Sequence, residues 1–316
     1  MKKILMGHNF KREGFAPLED KFEIIYPEAK MFSREEILDR IADIDVLVPN
    51  FSFKTDTEVI ESGKNLKLIA NYGVGYNNID VAFAAKKGIT VTNTPQSVLE
   101  PTAELCFTLI ASTARKVAYS NCKLHNGIRL DWGLYGNLGM PIYGQTLGIY
   151  GMGRIGQAVA RRALASGMKI LYHNRKRLPI EIEEKYDARY VDFETLLKES
   201  DIISLNAPAT SETFHLMGEE QFRKMKDTAI LINTARGQLV DEKALVNALR
   251  EGEIWAAGLD VFENEPKISP ELLELDNAIV SPHAGTSTYA ARIDMQREVA
   301  KNIINFFEGG QIDKVN

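Results

Sequence analysis

Cysteine is scarce in this chain: its 316 residues include only Cys106 and Cys122. Two cysteines cannot form the set of disulfides that stabilises small secreted domains, and they fit free thiols in a reducing compartment. Long apolar runs are lacking too, since residues 103–114 contain serine and threonine and are too short to cross about 30 Å of hydrocarbon. The basic start of the chain is followed by an apolar run too short for an export signal. We therefore expect a cytoplasmic protein that does not bind membranes.

A strong excess of one charge sign is also absent. Lysine and arginine number 38 against 43 aspartates and glutamates, which leaves a net charge of −5. So mild an acidity gives no general attraction to nucleic acid or anionic lipid, and we expect neither as a partner. The scattered cysteines and histidines show no metal-ligand spacing, so no metal site is predicted. A G-x-S-x-G elbow for serine hydrolysis is missing as well.

Short β-branched runs alternate with helical patterns along nearly the whole chain. This alternation predicts parallel pairing, because a parallel connection needs a crossover long enough to hold a helix. With about 150 residues per domain, the length favours two domains of the α/β class, each a parallel sheet between helices. The predicted strands fall in two series, 4–6, 23–26, 46–48, 66–70 and 90–92, then 146–150, 169–173, 202–206, 229–233, 256–261 and 278–281.

The two series join near residues 97–101. Pro101 disfavours helix in the residue before it and suits a first helical turn. We therefore predict one long helix over 103–119 that leads into the second domain, followed by a loop over 126–145. A last helix, 289–307, has no strand after it and could return to the first domain. The other predicted helices are 34–42, 56–62, 81–87, 154–166 and 241–250.

A glycine turn follows the strand 146–150 and opens the helix 154–166. Gly151, Gly153 and Gly156 form the pattern G-x-G-x-x-G between strand, helix and a second strand. In a dinucleotide site the first glycine allows the tight turn, the second lets a pyrophosphate approach, and the third lets the helix pack closely. The N–H groups at the helix start, near Arg154 and Ile155, supply donors for the phosphates. The alternative is a plain turn without a ligand.

The end of the second strand indicates which dinucleotide binds. A site for NAD usually has an acidic residue there, which accepts from the ribose 2′-hydroxyl. This chain has His173, Asn174, Arg175, Lys176 and Arg177 instead. A 2′-phosphate is attracted to these cations, and arginine can bind it with two hydrogen bonds. We predict a preference for NADP(H), the alternative being a solvated basic loop on a protein that takes NAD(H) without the acidic contact.

Three later segments carry reactive side chains just after strands. Arg236 can bind a carboxylate, His283 can exchange a proton with a substrate oxygen, and Glu265 can orient the imidazole. Because strand ends are where open α/β sheets gather ligands, we expect these three side chains to converge. Glu263 competes with Glu265 for its role, and each of the three could instead be structural. The remaining histidines are interpreted as structural, namely His8, His125, His173 and His215.

Taken together, segments 151–156, 234–237, 260–266 and 281–285 resemble the D-2-hydroxyacid dehydrogenase family, and the basic loop looks most like its glyoxylate/hydroxypyruvate reductase branch. The resemblance covers essentially the whole chain. It implies a Rossmann coenzyme domain, residues 99–286, inserted into a flavodoxin-like substrate domain made of residues 1–98 plus 287–316. It also implies a homodimer.

The resemblance assigns site residues as well. Arg236, Glu265 and His283 match the family's catalytic trio, and Arg236 and His283 also contact substrate. In the family, a turn like the one containing Val74 and Gly75 binds the substrate carboxylate through main-chain N–H groups. A glycine-bracketed turn of this kind can bind an anion, but it can also be a simple turn. Further coenzyme contacts are implied for Ala207, Pro208, Thr234 and Asp260.

The expected reaction is reversible hydride transfer between a nicotinamide and a small 2-oxo acid, which gives the D-2-hydroxy acid. A D-lactate-type or bulky 2-oxo acid dehydrogenase is the alternative. Phe51 and Phe53 could admit an apolar substrate tail or could belong to the core. A dinucleotide-sensing corepressor is a lower alternative, because the chain carries no partner-binding extension.

Overall fold

The computed structural model describes all 316 residues, and it divides into two compact units. The first contains Met1–Val98 with Thr286–Asn316, and the second contains Leu99–Gly285. From the sequence we expect the coenzyme domain to end one residue later, at residue 286. None of the helices combines the length and the apolar composition that a membrane span requires.

The first unit has a five-stranded parallel sheet in the order β2-β1-β3-β4-β5. This order is the flavodoxin-like one expected from the sequence. The strands are β1 (Lys2–Met6), β2 (Phe22–Ile25), β3 (Val46–Val48), β4 (Leu68–Ala70) and β5 (Thr90–Thr92). The helices are α1 (Ala16–Glu19), α2 (Arg34–Arg40), α3 (Thr57–Ser62), α4 (Val81–Lys86) and the last helix of the chain, α13 (Tyr289–Glu308).

Helix α13 completes the core of the first unit. Its residues Met295, Val299 and Ile303 are buried in one cluster with Ile4 of β1 and Val46 of β3. The last helix therefore packs within the first unit, and the core of that unit is built from both ends of the chain.

The second unit has a seven-stranded parallel sheet in the order β12-β11-β10-β9-β6-β7-β8, a Rossmann order with one further strand. Its strands are β6 (Thr146–Tyr150), β7 (Lys169–His173), β8 (Ala188–Tyr190), β9 (Ile202–Leu205), β10 (Ile230–Asn233), β11 (Ala256–Leu259) and β12 (Ala278–Val280). Its helices are α5 (Leu99–Ala114), α6 (Val117–His125), α7 (Arg154–Ala165), α8 (Ile180–Tyr186), α9 (Phe193–Glu199), α10 (Glu219–Lys224), α11 (Glu242–Glu251) and α12 (Pro270–Leu273).

The second unit differs from the sequence predictions in three details. The helix expected over 103–119 is two helices, because Lys116 adopts a left-handed conformation with φ of 54° between α5 and α6. Helix α5 also starts before Pro101, at Leu99. A proline in the first turn lacks an N–H that would have no intrahelical partner, so the helix continues through it. Strand β8 was missed because only three residues form it, with exposed Arg189 at its centre.

Candidate active site

The glycine turn after β6 has the geometry of a dinucleotide site. Gly151 has φ of 92°, and a Cβ there would lie 2.8 Å from the N atom of Ala207. A Cβ on Gly156 would lie 2.6 Å from the carbonyl oxygen of Gly151, so helix α7 packs directly on the turn. Around Gly153, by contrast, a Cβ would meet no atom within 4 Å. Two glycines are therefore required by the fold, and the middle one leaves open space for a ligand.

The start of α7 faces that open space. Gly153 is its N-cap residue and has no side chain to bond the first turn. The N–H groups of Arg154, Ile155 and Gly156 therefore lack intrahelical partners and can donate to an anion. Strand β6 lies between β7 and β9, where the strand order reverses, and such a switch point is the usual ligand position in these sheets. Ala207 and Pro208 follow β9 at this edge. The residues present thus fit a dinucleotide.

The loop after β7 carries the residues predicted to select the coenzyme. The Oδ1 atom of Asn174 accepts from the N–H of Met152 at 2.7 Å, which ties this loop to the glycine turn. The side chain of Arg175 is 86% exposed and lies 3.6 Å from Glu212, and Lys176 is exposed. Arg177 instead pairs with Glu183 at 2.7 Å. Of the three cations in this loop, Arg175 and Lys176 are therefore open to a ligand.

Glu265 and His283 form a close pair. The Nδ1 atom of His283 lies 2.7 Å from one carboxylate oxygen of Glu265, and the other oxygen accepts from the N–H of Phe262 at 3.0 Å. Burial by itself would raise the pKa of Glu265. The hydrogen bonds from His283 and Phe262 and the positive charges of His283 and Arg236 outweigh burial, so the pKa lies below its usual value. Glu265 is therefore ionised at neutral pH.

A buried aspartate fixes the histidine segment. Asp260 is 1% exposed and accepts hydrogen bonds from the hydroxyl of Ser281 and the N–H groups of Ala284 and Gly285. Burial raises the pKa of Asp260 in spite of these bonds. Between the bonded residues, His283 adopts φ of 49°, a conformation that costs free energy unless its surroundings hold it. Asp260 therefore sets the position from which His283 reaches Glu265.

Arg236 lies in the loop after β10, and its charge acts on Glu265. The side chain of Asn233 donates to the carbonyl oxygen of Arg236 at 2.9 Å and accepts from the N–H of Ala235 at 3.0 Å, which fixes the loop that contains buried Thr234. A Cβ on Gly237 would lie 1.9 Å from the carbonyl carbon of Phe262. Only glycine permits this approach of the Arg236 loop to the Glu265 loop. Burial lowers the pKa of Arg236, but a guanidinium remains charged.

The two candidate glutamates have different partners. Glu263 lies 2.8 Å from the Nε2 atom of His215, whereas Glu265 contacts His283. The geometry therefore places Glu265, and not Glu263, beside the candidate proton donor. His215, which we interpreted as structural, and Asn233 were not assigned to the site from the sequence. An asparagine at the end of a strand, just before a reactive loop, is the signal that could have indicated Asn233.

In the first unit, the turn after β4 exposes donors. The side chain of Asn71 donates to the carbonyl oxygens of Gly73 and Gly75, and Asn93 donates to that of Val74. The carbonyl groups of the turn are thus satisfied, while the N–H groups of Val74 and Gly75 have no acceptor in the protein. Two adjacent unpaired N–H groups can bind an anion.

The two phenylalanines near β3 differ. Phe53 is 5% exposed and packs in the core, and Phe51 is 53% exposed. Phe53 therefore does not present an open apolar surface to a ligand.

This chain matches known proteins both in sequence and in fold. Residues 107–285 match a family model described as the NAD-binding domain of D-isomer-specific 2-hydroxyacid dehydrogenases. A glyoxylate reductase from Thermococcus litoralis is 45% identical over 312 residues, which cover 97% of this chain and 94% of the relative. The crystal structure of a glyoxylate reductase from Paecilomyes thermophila is 37% identical with a TM-score of 0.90, and covers 99% of this chain and 98% of its own.

A further solved structure is that of an NADPH-dependent glyoxylate/hydroxypyruvate reductase from Sinorhizobium meliloti in complex with NADP and malonate. It is 30% identical with a TM-score of 0.84, and the match covers 99% of this chain and 96% of that one.

Proposed function

We propose that this chain, which belongs to the family of D-isomer-specific 2-hydroxyacid dehydrogenases, reduces glyoxylate and hydroxypyruvate. The reaction class follows from the family: the chain is an oxidoreductase that transfers a hydride between a nicotinamide coenzyme and carbon 2 of a 2-oxo acid. The substrate proposal is supported by the names of its relatives. The structural observation that supports the reaction is the 2.7 Å contact of His283 with Glu265, in the unit that also contains the glycine turn.

His283 acts as the acid in reduction. In its protonated form it gives a proton to the substrate oxygen while carbon 2 receives the hydride. Glu265 is ionised and accepts from Nδ1, so it orients the imidazole ring and holds a proton on that nitrogen. In oxidation of the hydroxy acid the same pair removes the proton.

Arg236 holds the substrate carboxylate in this proposal. Arg236 carries a fixed charge and can form two parallel hydrogen bonds with a carboxylate, and it can also polarise the 2-oxo oxygen. In the first unit, the N–H groups of Val74 and Gly75 are unpaired donors that suit an anion such as a carboxylate. Every 2-oxo acid has a carboxylate, so Arg236 binds the part that the substrates share.

NADP(H) is the preferred coenzyme in this proposal. When bound, the coenzyme supplies the hydride and accepts it in the reverse direction. The open face at Gly153 and the N–H groups of Arg154 and Ile155 suit its pyrophosphate. Arg175 and Lys176 lie exposed where the ribose 2′ position is expected, and they suit a phosphate there.

The protein is a homodimer in this proposal. Residues 117–143, which we call the apolar arm, expose large apolar side chains, among them Trp132, Leu134 and Tyr135 at 85%, 84% and 81%. Large exposed apolar surfaces of this kind mark interaction sites. The occupant we propose is a second copy of the chain, in agreement with the dimers that the family resemblance implies.

A spectrophotometric screen tests the substrate assignment. We expect kcat/KM for glyoxylate and hydroxypyruvate to exceed that for pyruvate and phenylpyruvate, each measured with NADPH and with NADH. A higher value for phenylpyruvate or pyruvate would instead indicate a bulky 2-oxo acid or D-lactate-type dehydrogenase. Tight dinucleotide binding without turnover of any 2-oxo acid would indicate a coenzyme-sensing protein.

Removal of the proton donor should slow catalysis without loss of coenzyme. We expect His283→Ala to lower kcat by ~10²–10⁴-fold, the usual contribution of general acid–base catalysis. Glu265→Gln should also lower kcat, because the neutral amide replaces the charged acceptor that orients the ring of His283. Glu263→Gln is the matched control, since Glu263 contacts His215, and should leave kcat nearly unchanged. The reverse pattern would assign the role to Glu263.

The coenzyme preference should depend on the loop after β7. One hydrogen bond between charged groups contributes ~1.5–3 kcal/mol, so a single arginine contact gives roughly 10–150-fold preference for NADPH in kcat/KM. The double substitution Asn174→Asp with Arg175→Ala should reverse the order. The introduced carboxylate would still accept from the N–H of Met152, and its charge repels a 2′-phosphate. Equal efficiency of both coenzymes in the wild-type protein, or an unchanged ratio in the variant, contradicts this assignment.

Charges in the apolar arm should dissociate the dimer. We expect light scattering to give the mass of a dimer for the wild-type protein and of a monomer for Trp132→Asp combined with Tyr135→Asp. Leu273→Asp is the control, because Leu273 is also exposed but lies outside the arm. A wild-type monomer, or a dimer that survives both substitutions, argues against the arm as the interface.

A further inference from the structure

The loop that selects the coenzyme, residues 174–178, is fixed at its far end by a nearly buried carboxylate. The guanidinium of Arg177 donates two hydrogen bonds to Glu183, at 2.8 Å and 2.7 Å. Glu183 also accepts from the hydroxyl of Tyr172 at 2.5 Å, and that hydroxyl accepts from the N–H of Leu178 at 2.9 Å. Tyr172 is fully buried in β7, and Glu183 is 6% exposed in α8. The network therefore connects the loop to a strand and a helix of its own unit.

The hydrogen bonds and charges of this network keep it in a single protonation state at physiological pH. The hydrogen bonds from Arg177 and Tyr172 lower the pKa of Glu183 to about 2. Burial, with the bond to Glu183, raises the pKa of Tyr172 to about 12. Glu183 is thus always ionised and Tyr172 always a donor at physiological pH. A carboxylate this enclosed needs its cation, because an unpaired buried charge is strongly destabilising. Arg177 is therefore retained by Glu183.

The near end of the loop is fixed as well. Asn174 accepts from the N–H of Met152 through its side chain, and its carbonyl oxygen accepts from the hydroxyl of Tyr190 at 3.2 Å. Between the two fixed ends lie Arg175 and Lys176, both exposed. The only ion pair at the tip joins Arg175 to Glu212 at 3.6 Å, and both side chains are largely in solvent. An exposed pair of this kind contributes little, so a ligand can replace it.

We propose that Glu183 and Tyr172 are positioning residues for coenzyme selection, and that Arg177 holds the loop in place and does not contact the 2′-phosphate. The network presents Arg175 and Lys176 in a fixed conformation, so less side-chain and loop freedom is lost when the phosphate binds. This inference rests on the proposed use of NADP(H). It separates three adjacent cations that the sequence alone does not distinguish.

Whether Glu183→Gln weakens or strengthens NADP⁺ binding distinguishes the two possible roles of Arg177. If Arg177 positions the loop, Glu183→Gln and Arg177→Ala should each weaken NADP⁺ binding by roughly 10-fold, the lower end of the effect of losing an orienting partner at metal sites. The double variant should be no weaker than either single variant, because both remove the same contact. If Arg177 is instead a phosphate ligand, Glu183→Gln releases it and NADP⁺ binds more tightly, which would overturn the inference.

Dissociation constants for NADP⁺ and NAD⁺, measured by isothermal titration calorimetry on the full chain, provide the readout. A positioning role also raises KM for NADPH with little change in kcat, and speeds hydrogen exchange at the N–H of Leu178. Tyr172→Phe keeps the buried ring but removes the acceptor of that N–H, so it should act in the same direction if Glu183→Gln fails to fold. Glu199→Gln is the matched control, since Glu199 pairs with Arg189 of β8 and not with a residue of the loop.

Failure of this inference and failure of the coenzyme proposal give different results. Equal affinity of the wild-type protein for NADP⁺ and NAD⁺ contradicts the proposed preference. The positioning role is overturned separately, if Glu183→Gln and Tyr172→Phe lower thermal stability but leave both dissociation constants unchanged.

Discussion

The buried carboxylate of Asp260 is the interaction on which the candidate active site depends. Its oxygens accept from Ser281, Ala284 and Gly285, which are the neighbours of His283, and its own N–H bonds Asn233 at the end of β10. One residue after β11 thereby links the ends of three adjacent strands. The left-handed conformation of His283 is costly in isolation and is maintained by these bonds.

Close backbone approach is the second constraint, and glycine satisfies it twice. Gly237 lets the Arg236 loop contact the backbone of Phe262, and Gly156 lets α7 contact the turn at Gly151. In both places a Cβ would overlap main-chain atoms, which cannot move aside as a flexible side chain can. The candidate proton-transfer site and the candidate coenzyme turn thus depend on the same kind of contact, made at different strand ends of one sheet.

The sequence predicted those features that local pattern determines. Strand–helix alternation and the glycine spacing predicted both parallel sheets and the position of the dinucleotide turn. Three reactive side chains after three strands predicted their convergence, because parallel strands end at one edge. The break at Lys116 was not predictable in this way, since lysine has no local preference for the left-handed conformation that ends α5 there.

Pairings between distant side chains were not predictable either. Glu263 and Glu265 are equivalent in the sequence, and only the folded loop directs one to His215 and the other to His283. Likewise Arg175 and Arg177 differ only because Glu183 lies beside the second. Local sequence shows which side chains can do chemistry, whereas tertiary contacts decide which of them remain open for it.

The distribution of these groups between the two units has a physical consequence. Arg236, Glu265, His283 and the glycine turn all belong to the second unit, so their mutual geometry depends on contacts within one sheet. The turn with Val74 and Gly75 belongs to the first unit and contributes main-chain donors, which any side chain at those positions leaves in place. Because the two sets of groups lie in separate units, substitutions of the side chains around that turn leave the contact between His283 and Glu265 in place.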